Sequence, residues 1–442
     1  MSKTFRKFMY GIVLPILFLI IPGNSAGDVK FIDITKPYMR KIPIAVPYFK
    51  PVTGETVETE TAQAASDLLS DMLTFTGFFK LLDRGAFLID AENFGIIAPN
   101  INFPNWTTVG AELLITGGIS IEGELMEIEL RLFDTVKQTL LIGKRYKGWV
   151  KDQRKVMRKF AGEVIFQLTG SRGIFDSRLA FISTGSGHKE INFCDFDGTG
   201  SRQFTSHKSI TLFPAWSSDG KWLAYTSYVK GSPDLYIKNI SENRGVVFSK
   251  KGIQISPAWV PGKFELAAAL SFTGDQEIYL LTGEGKIIKR LTKSRGIDVE
   301  PTFSPDGTKM AFVSKRSGTP QIYVREMDTG RVERLTFEGR YNTQPDWSPK
   351  GDKVAYSGMR DGQINIYVVG LEGDPPMQLT MDQGDNESPS WSPDGSLIAF
   401  SSTREGPSRI YICTAFGTDQ RRLIKLPGQQ SNPRWSPSGV ID

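Results

Sequence analysis

The sequence predicts a mixed architecture: an N-terminal α/β domain followed by a six-bladed β-propeller that the C-terminal strand closes. Three observations carry this reading. A Pro-x-aromatic motif recurs six times, at prolines 214, 257, 301, 345, 389 and 433, with spacings of 43, 44, 44, 44 and 44 residues. The two ends of the repeat region each hold what the other lacks. The residues in front of it carry no repeat and mix strand-like with helix-like patterns.

Composition sets the limits first. The 442 residues hold 53 Lys+Arg against 48 Asp+Glu, with two cysteines and two histidines. That length suggests two or three domains, and 40% hydrophobic with 23% charged residues describes an ordinary folding chain. Lys3, Arg6 and Lys7 supply three charges before the first acid, Asp28, so the rest of the chain carries only +2. That balance is too weak to argue for a nucleic-acid footprint. Two histidines and two cysteines also exclude a His/Cys metal cluster held by one chain.

Residues 1–27 read as a Sec-type secretory signal. Lys3, Arg6 and Lys7 form the charged segment, Phe8 to Ile21 the apolar run, and Pro22-Gly23 breaks it before Ser25-Ala26-Gly27. The run is shorter than the roughly 20 apolar residues of a spanning helix. Cleavage is expected near Gly27/Asp28, giving a soluble, exported chain without a membrane span. No cysteine stands at the cleavage point to take a lipid.

Residues 28–40 form an N-terminal arm, and 41–170 the α/β domain. Lys41 to Val46 opens a strand, and Thr61 to Leu73 is helical, with Ala62, Ala65, Leu68, Leu69 and Met72 on one side. Phe78 to Leu82 is a strand after Gly77. Ala111 to Ser120, Met126 to Asp134 and Thr139 to Lys147 form a meander, with Ile128, Leu130 and Leu132 in alternation. Asp152 to Leu168 closes the domain as a second helix, its apolar stripe Val156, Phe160 and Val164.

The propeller covers 177–442. Each repeat opens with a strand such as Pro214-Ala215-Trp216-Ser217 or Pro345-Asp346-Trp347-Ser348, followed by a turn pair such as Asp219-Gly220 or Asp306-Gly307. A second strand carries Ala224-Tyr225, Ala311-Phe312 or Ala399-Phe400. A third carries Tyr236, Tyr279, Tyr323, Tyr367 or Tyr411. A fourth carries Arg290-Leu291-Thr292, Arg334-Leu335-Thr336 or Gln378-Leu379-Thr380. Four short strands per 44 residues define a propeller blade. Leu179-Ala180-Phe181 matches a second strand with no first strand before it, and Pro433-Arg434-Trp435 a first strand with no second after it. The last strand should therefore complete the first blade and remove a sheet edge.

The chemistry available is sparse. The one nucleophile-elbow pattern, Gly23-Asn24-Ser25-Ala26-Gly27, lies in the export signal. His188 and His207 both fall in the first blade, and no α/β-hydrolase domain follows, so a catalytic triad has nowhere to assemble. Asp195-Phe196-Asp197-Gly198-Thr199-Gly200 resembles half a calcium loop but is better explained as a hairpin. Cys194 and Cys413 are expected as two buried free thiols on neighbouring blades. No catalytic residue, metal or cofactor is assigned.

What remains is a surface. The blade-to-blade loops enter the innermost strands just before the repeat proline. Three residues before it stand Thr211, Gln254, Asp298, Asn342, Asn386 and Gln430; one residue before it, Phe213, Ser256, Glu300, Gln344, Ser388 and Asn432. A spacing of two puts both sets on one side of a regular strand, so they are expected to line the channel rim together. Glu387 adds an acid between Asn386 and Ser388. The bland reading is a wet channel mouth; the functional one is a ring of donors and acceptors that grips a protein.

Two further motifs narrow the reading. Trp106-Thr107-Thr108-Val109-Gly110-Ala111-Glu112-Leu113-Leu114 precedes Thr116-Gly117, and Leu168-Thr169-Gly170-Ser171-Arg172-Gly173-Ile174-Phe175 leads into Arg178-Leu179-Ala180-Phe181. With the repeats and the export signal, these resemble the TolB family, the periplasmic component of the Tol–Pal system of Gram-negative bacteria. The resemblance implies a non-enzymatic adaptor, monomeric before complex formation, that supports outer-membrane integrity and envelope constriction at cell division. It implies that the lipoprotein Pal docks over the channel, placing Gln254, Ser256, Asp298, Glu300, Asn342, Gln344, Asn386, Glu387, Ser388 and Asn432 at that contact. It also implies that TolA takes the arm, Asp28, Val29, Lys30, Phe31, Ile32, Asp33 and Ile34, an alternating segment suited to strand addition. Other envelope proteins are further partners of this class. The chain departs from the family's commonest form after Ile34, where Thr35-Lys36-Pro37 follows, and it lacks a histidine in the loop before Pro257. The competing class is an exported propeller hydrolase or a peptide- or sugar-binding propeller.

Overall fold

The structure is a computed structural model that describes residues 40–88, 95–242 and 244–440. The export signal and the arm residues Asp28 to Ile34 lie outside the described residues.

The N-terminal domain is one sheet backed by helices. Its strands are β1 (Ile42–Ala45), β2 (Lys50–Pro51), β3 (Phe79–Leu81), β4 (Leu113–Glu122), β5 (Leu125–Asp134) and β6 (Thr139–Trp149). The order is β3-β1-β4-β5-β6, with β2 pairing beside β4. β1 runs parallel to β3 and β4, while β4, β5 and β6 form the antiparallel meander. Helices α1 (Thr56–Phe75) and α3 (Gln153–Thr169) bury Ala62, Leu69, Leu73, Phe160, Val164 and Ile165 against it. Such burial contributes about 1.5–3 kcal/mol per large aliphatic or aromatic side chain. Glu58, buried on α1, fixes the packing: its carboxylate accepts the Ile121 N–H at 2.8 Å and the Thr53 N–H at 2.8 Å. Burial pushes its pKa up, but these N–H donors outweigh that and hold it below the usual carboxylate value. α3 stops at Gly170, whose φ of 73° is the left-handed cap that glycine takes without penalty. A third helix, α2 (Phe103–Thr108), seats Trp106 in a separate small core with Phe103 and Phe133.

The propeller has six four-stranded antiparallel blades. Blade 1 is Arg178–Ser183, Glu190–Asp195 and Arg202–Gln203, with Gln430–Trp435 as its innermost strand. Blades 2 to 6 run Thr211–Phe248, Gln254–Arg290, Asp298–Arg334, Tyr341–Gln378 and Asn386–Arg422. The expected closure is present: Trp435 pairs with Leu179 and Gln430 with Ser183.

Trp216, Trp259, Phe303, Trp347, Trp391 and Trp435 are all buried, packing between blades. The indole of Trp216 donates to the Arg434 carbonyl at 3.0 Å and that of Trp259 to the Ala215 carbonyl at 3.1 Å. The fourth strands are shorter than the repeats suggest, ending at Arg290, Arg334 and Gln378. The threonine just beyond each strand does a different job. Thr292 Oγ1 accepts the Ile278 N–H at 2.9 Å and donates to the buried Glu277 at 2.7 Å. Thr205, Thr336 and Thr380 repeat the arrangement with Glu190, Gln321 and Asn365.

The two domains share a continuous core. Phe196, at the tip of the blade 1 hairpin, meets Phe75 and Phe175 edge-on at 5.3 and 5.2 Å. Arg154 of α3 pairs with Asp197 at 2.5 Å and Thr199 at 2.7 Å, and Lys41 pairs with Asp419 of the blade 6 hairpin at 2.7 Å. The Asp195–Gly200 segment is therefore a hairpin that holds the α/β domain. This domain sits at the hairpins of blades 1 and 6 on the face of the disc formed by the tight turns.

Candidate functional site

The channel is built from three successive positions of the innermost strands. In every blade the residue before the repeat proline has a positive φ, from 49° at Asn432 to 55° at Gln344 and Ser388. Pairing with the second strand breaks there: Val299 faces Val313 and the next partner pair is Thr302 with Ala311. This is a β-bulge, one extra residue that re-aims the strand.

The bulge corrects the expected rim. Thr211, Gln254, Asp298, Asn342, Asn386 and Gln430 do not share a side with the residues two positions on. They are buried, at 0–2% exposure, inside the blade-to-blade loops. Asn342 donates to Gln321 and to the Glu338 carbonyl, both at 2.8 Å. Asn386 donates to Asn365 at 3.2 Å and to the Gly384 carbonyl at 3.1 Å. Gln254 donates to the Lys250 carbonyl at 3.1 Å, and Gln430 to the carbonyls of Pro427 and Gly428 at 2.9 Å. Asp298 pairs with Arg316 at 2.9 Å. These residues hold the loops in shape and are buried rather than presented at the rim.

Phe213, Ser256, Glu300, Gln344, Ser388 and Asn432 do line the lumen, around a constriction of about 30 Å³. Much of their hydrogen-bonding capacity runs around the ring. Glu300 accepts the Gln344 N–H at 2.7 Å, and Gln344 Oε1 accepts the Ser388 N–H at 2.9 Å and the Ser357 hydroxyl at 2.7 Å. The Asn432 side-chain amide donates to Ser388 Oγ at 2.8 Å. Glu300 and Gln344 thus each cap the bulge N–H of the next blade, while Asn432 reaches back to the Ser388 side chain. Ser256 Oγ is buried without a partner among the described residues.

Beyond the constriction stand Thr302, Asp346, Ser390 and Arg434. Arg434 crosses the lumen to Asp346 at 2.8 Å, and the other Asp346 oxygen accepts the Trp391 N–H at 2.7 Å. From there the channel widens toward the turn face into a funnel of about 530 Å³ rimmed by Pro261, Pro349, Pro393 and Pro437.

Three carboxyls in this region have pKa values above their usual range. Burial is the main cause at Glu300, opposed by the Gln344 N–H and Arg434 and reinforced by Glu387. Burial also raises Asp346, against Arg434 and the Trp391 N–H, and raises Glu387, with Asp385 adding to it. The sign for stability follows. A carboxyl raised by folding favours the native state while protonated, and that contribution is lost as pH climbs from the unfolded value, about 4.3 for Glu, through the folded one. Glu300→Gln keeps an acceptor for the Gln344 N–H and never ionises. The melting temperature of the variant should therefore gain on the parent chain between pH 4 and pH 8. A variant that loses ground over that range would show the ionised carboxylate to be stabilising.

The mouth on the other face, formed by the blade-to-blade loops and the loops between second and third strands, carries exposed apolar groups. Phe337 is 73% exposed, Met381 57%, Ile210 45% and Tyr341 42%. Tyr341 stands at the bulged end of blade 5; its phenol is raised by burial and by the carboxylates of Glu300 and Glu387. The one signal of these exposed positions in the sequence is an apolar side chain where a solvated loop is expected. His207 is occupied by Ser227 at 2.7 Å, and burial lowers its pKa. Cys194 and Cys413 are buried free thiols; burial raises both, Cys413 to about 12.

Residues 166–439 match the family described as TolB beta propeller domain, and residues 31–141 match the TolB amino-terminal domain. The chain belongs to the TolB family. It is 57% identical over 278 residues to the Tol-Pal system protein TolB of Desulfosudis oleivorans, covering 63% of this chain and 64% of that protein. It is 43% identical over 269 residues to the protein TolB homolog of Chlorobium chlorochromatii, covering 61% and 60%. The matched segments thus span less than two thirds of either relative. The crystal structure of TolB from Acinetobacter baumannii superposes with a TM-score of 0.79 at 25% identity, covering 90% of this chain and 98% of that one. The two-domain TolB architecture is therefore shared along most of the chain. Among the described residues no helix is long and apolar enough to cross a membrane.

Proposed function

We propose that this TolB-family chain is a non-catalytic periplasmic adaptor of the Tol–Pal system. In this reading it holds Pal on the loop face of the propeller and TolA through Asp28 to Ile34, supporting outer-membrane integrity and constriction at division. The observation that carries the reading is the pair of TolB domains in TolB order, with the α/β domain docked on the turn face and the loop face left uncovered by the described residues. In this reading the contact set shifts from the rim expected from the sequence. Glu300, Gln344, Ser388 and Asn432 form the floor of the mouth, while Tyr341, Phe337 and Met381 offer the exposed apolar area a partner would bury. A truncated tyrosine anchor costs about 2 kcal/mol or more at a hot spot, roughly thirtyfold in affinity.

Calorimetry with the soluble domains of Pal and TolA tests it. Tyr341→Ala should weaken Pal at least tenfold without shifting the melting temperature. Deleting Asp28 to Ile34 should abolish TolA binding and spare Pal. If Tyr341→Ala leaves Pal unchanged while Asp306→Ala, on the turn face, weakens it, the partner docks on the opposite face.

A further inference from the structure

The loop face is close to six-fold in shape but not in charge. The six loops of this face that belong to blades 1 to 3 are residues 184–189, 204–210, 228–233, 249–253, 271–276 and 291–297. They carry Lys189, Lys208, Lys230, Lys250, Lys251, Lys293 and Arg295, against one acid, Asp275. All seven cations are exposed. None of them enters an ion pair among the described residues, unlike Arg316 with Asp298 or Arg360 with Glu338. The acids nearest in sequence, Glu190, Asp234 and Glu277, are buried at 1% exposure beneath the loops. Across the mouth, the loops of blades 5 and 6 (361–362, 379–385, 403–408 and 423–429) carry Asp361, Asp382, Asp385 and Glu405 against Arg404 and Lys425. The face therefore runs from +6 on one side to −2 on the other.

Resting on the reading that Pal docks on this face, we propose that the basic crescent of blades 1 to 3 fixes the rotational setting of the docked protein, receiving an acidic patch of its surface. A disc of six similar blades offers a partner six similar settings, differing by sixty degrees. Backbone shape discriminates among them weakly, because the bulge geometry repeats in every blade. Segregated charge discriminates strongly, since a wrong setting brings like charges together. Exposed apolar side chains stand within the crescent: Ile210 at 45%, Val229 at 43% and Phe272 at 36%. They supply the buried contact that charge alone does not. An anionic lipid surface fits less well. A flat bilayer lying over the mouth would press its phosphates against Asp361, Asp382, Asp385 and Glu405 as well as the lysines, whereas a folded protein can oppose both halves with matching sign.

The test uses the full mature chain and the soluble domain of Pal, with association rates followed from low to high salt. Lys250→Glu, Lys251→Glu and Lys293→Glu together should slow association about tenfold or more at low salt, the difference closing near 0.5 M salt where the Debye length falls to about 4 Å. Equal rates and equal salt slopes in the triple variant and the parent, with Pal bound by both, would overturn the crescent and leave the docking reading standing. Failure of the parent chain to bind Pal at all would overturn both. Vesicles of phosphatidylglycerol provide the third arm: binding of vesicles lost in the triple variant, with Pal kinetics intact, would reassign the crescent to lipid and overturn the proposal.

Discussion

Ending the chain at Asn432 should abolish cooperative folding of the propeller. The truncation removes Pro433, Arg434 and Trp435 from the innermost strand of blade 1, and with them the pairings Arg434 to Ala180 and Trp435 to Leu179. Trp435 is 7% exposed and belongs to the same core as Leu179, Phe181 and Leu397. Deleting one such side chain costs about 3–5 kcal/mol. The truncation also removes the acceptor of the Trp216 indole and the Ser436 hydroxyl that accepts the Arg178 N–H at 2.8 Å. A domain holds about 5–15 kcal/mol of net stability, so these losses consume most of it. The exposed edge of Arg178–Ser183 then becomes a template for pairing between chains. Circular dichroism should show no sharp melt, and sedimentation should show aggregates. A truncated chain that melts with the parent would mean that closure contributes nothing.

The architecture was legible because the repeat is written in residues that every blade needs. The Pro-x-Trp strands and the complementary ends require the ring, and the ring is what the structure contains. Helix α1 extends from Thr56 rather than Thr61, since its first turn is polar on the exposed side and shows no apolar stripe. Helix α2 was not anticipated. Six residues make under two turns, too few for a 3.6-residue period to show, and Pro104 in its first turn also reads as a loop.

The candidate site was half legible. That the residue before each proline lines the lumen could be read from its phase in the repeat. That the residue two positions earlier does not line it could not be read, because the bulge is set by backbone conformation. Glu300 and Gln344 are not residue types that announce a positive φ, as glycine or asparagine would. Their buried neighbours share the polarity of a wet rim for another reason: Gln254, Asn342, Asn386 and Gln430 donate to loop carbonyls and buried partners in the walls, and Asp298 pairs with Arg316. Polar residues at a repeat position do not by themselves distinguish a surface from a satisfied interior.

Removing Arg434 should cost the propeller more than any other single substitution in the lumen. Its guanidinium reaches past blade 6 to tie blade 1 to blade 5 through Asp346. Breaking a fully buried pair by deleting one partner costs about 3–5 kcal/mol. These side chains retain 32% and 19% of their exposure, which lowers the expected loss to about 2 kcal/mol. In a domain of this size that corresponds to a fall of about 4–8 °C in melting temperature. The loss should depend on pH. Asp346 is already raised by burial despite Arg434; without the guanidinium it rises further, so the protonated form carries the fold at low pH and stability falls as pH climbs through that value. Arg434→Ala should therefore approach the parent near pH 4 and separate from it by pH 8. Adding Asp346→Asn removes the stranded charge yet keeps an oxygen for the Trp391 N–H. The double variant should recover at least half of the loss at pH 8 and show a flatter profile. An Arg434→Ala protein that melts with the parent at pH 8, or a double variant that recovers nothing, would show that the pair is not what holds the far side of the ring.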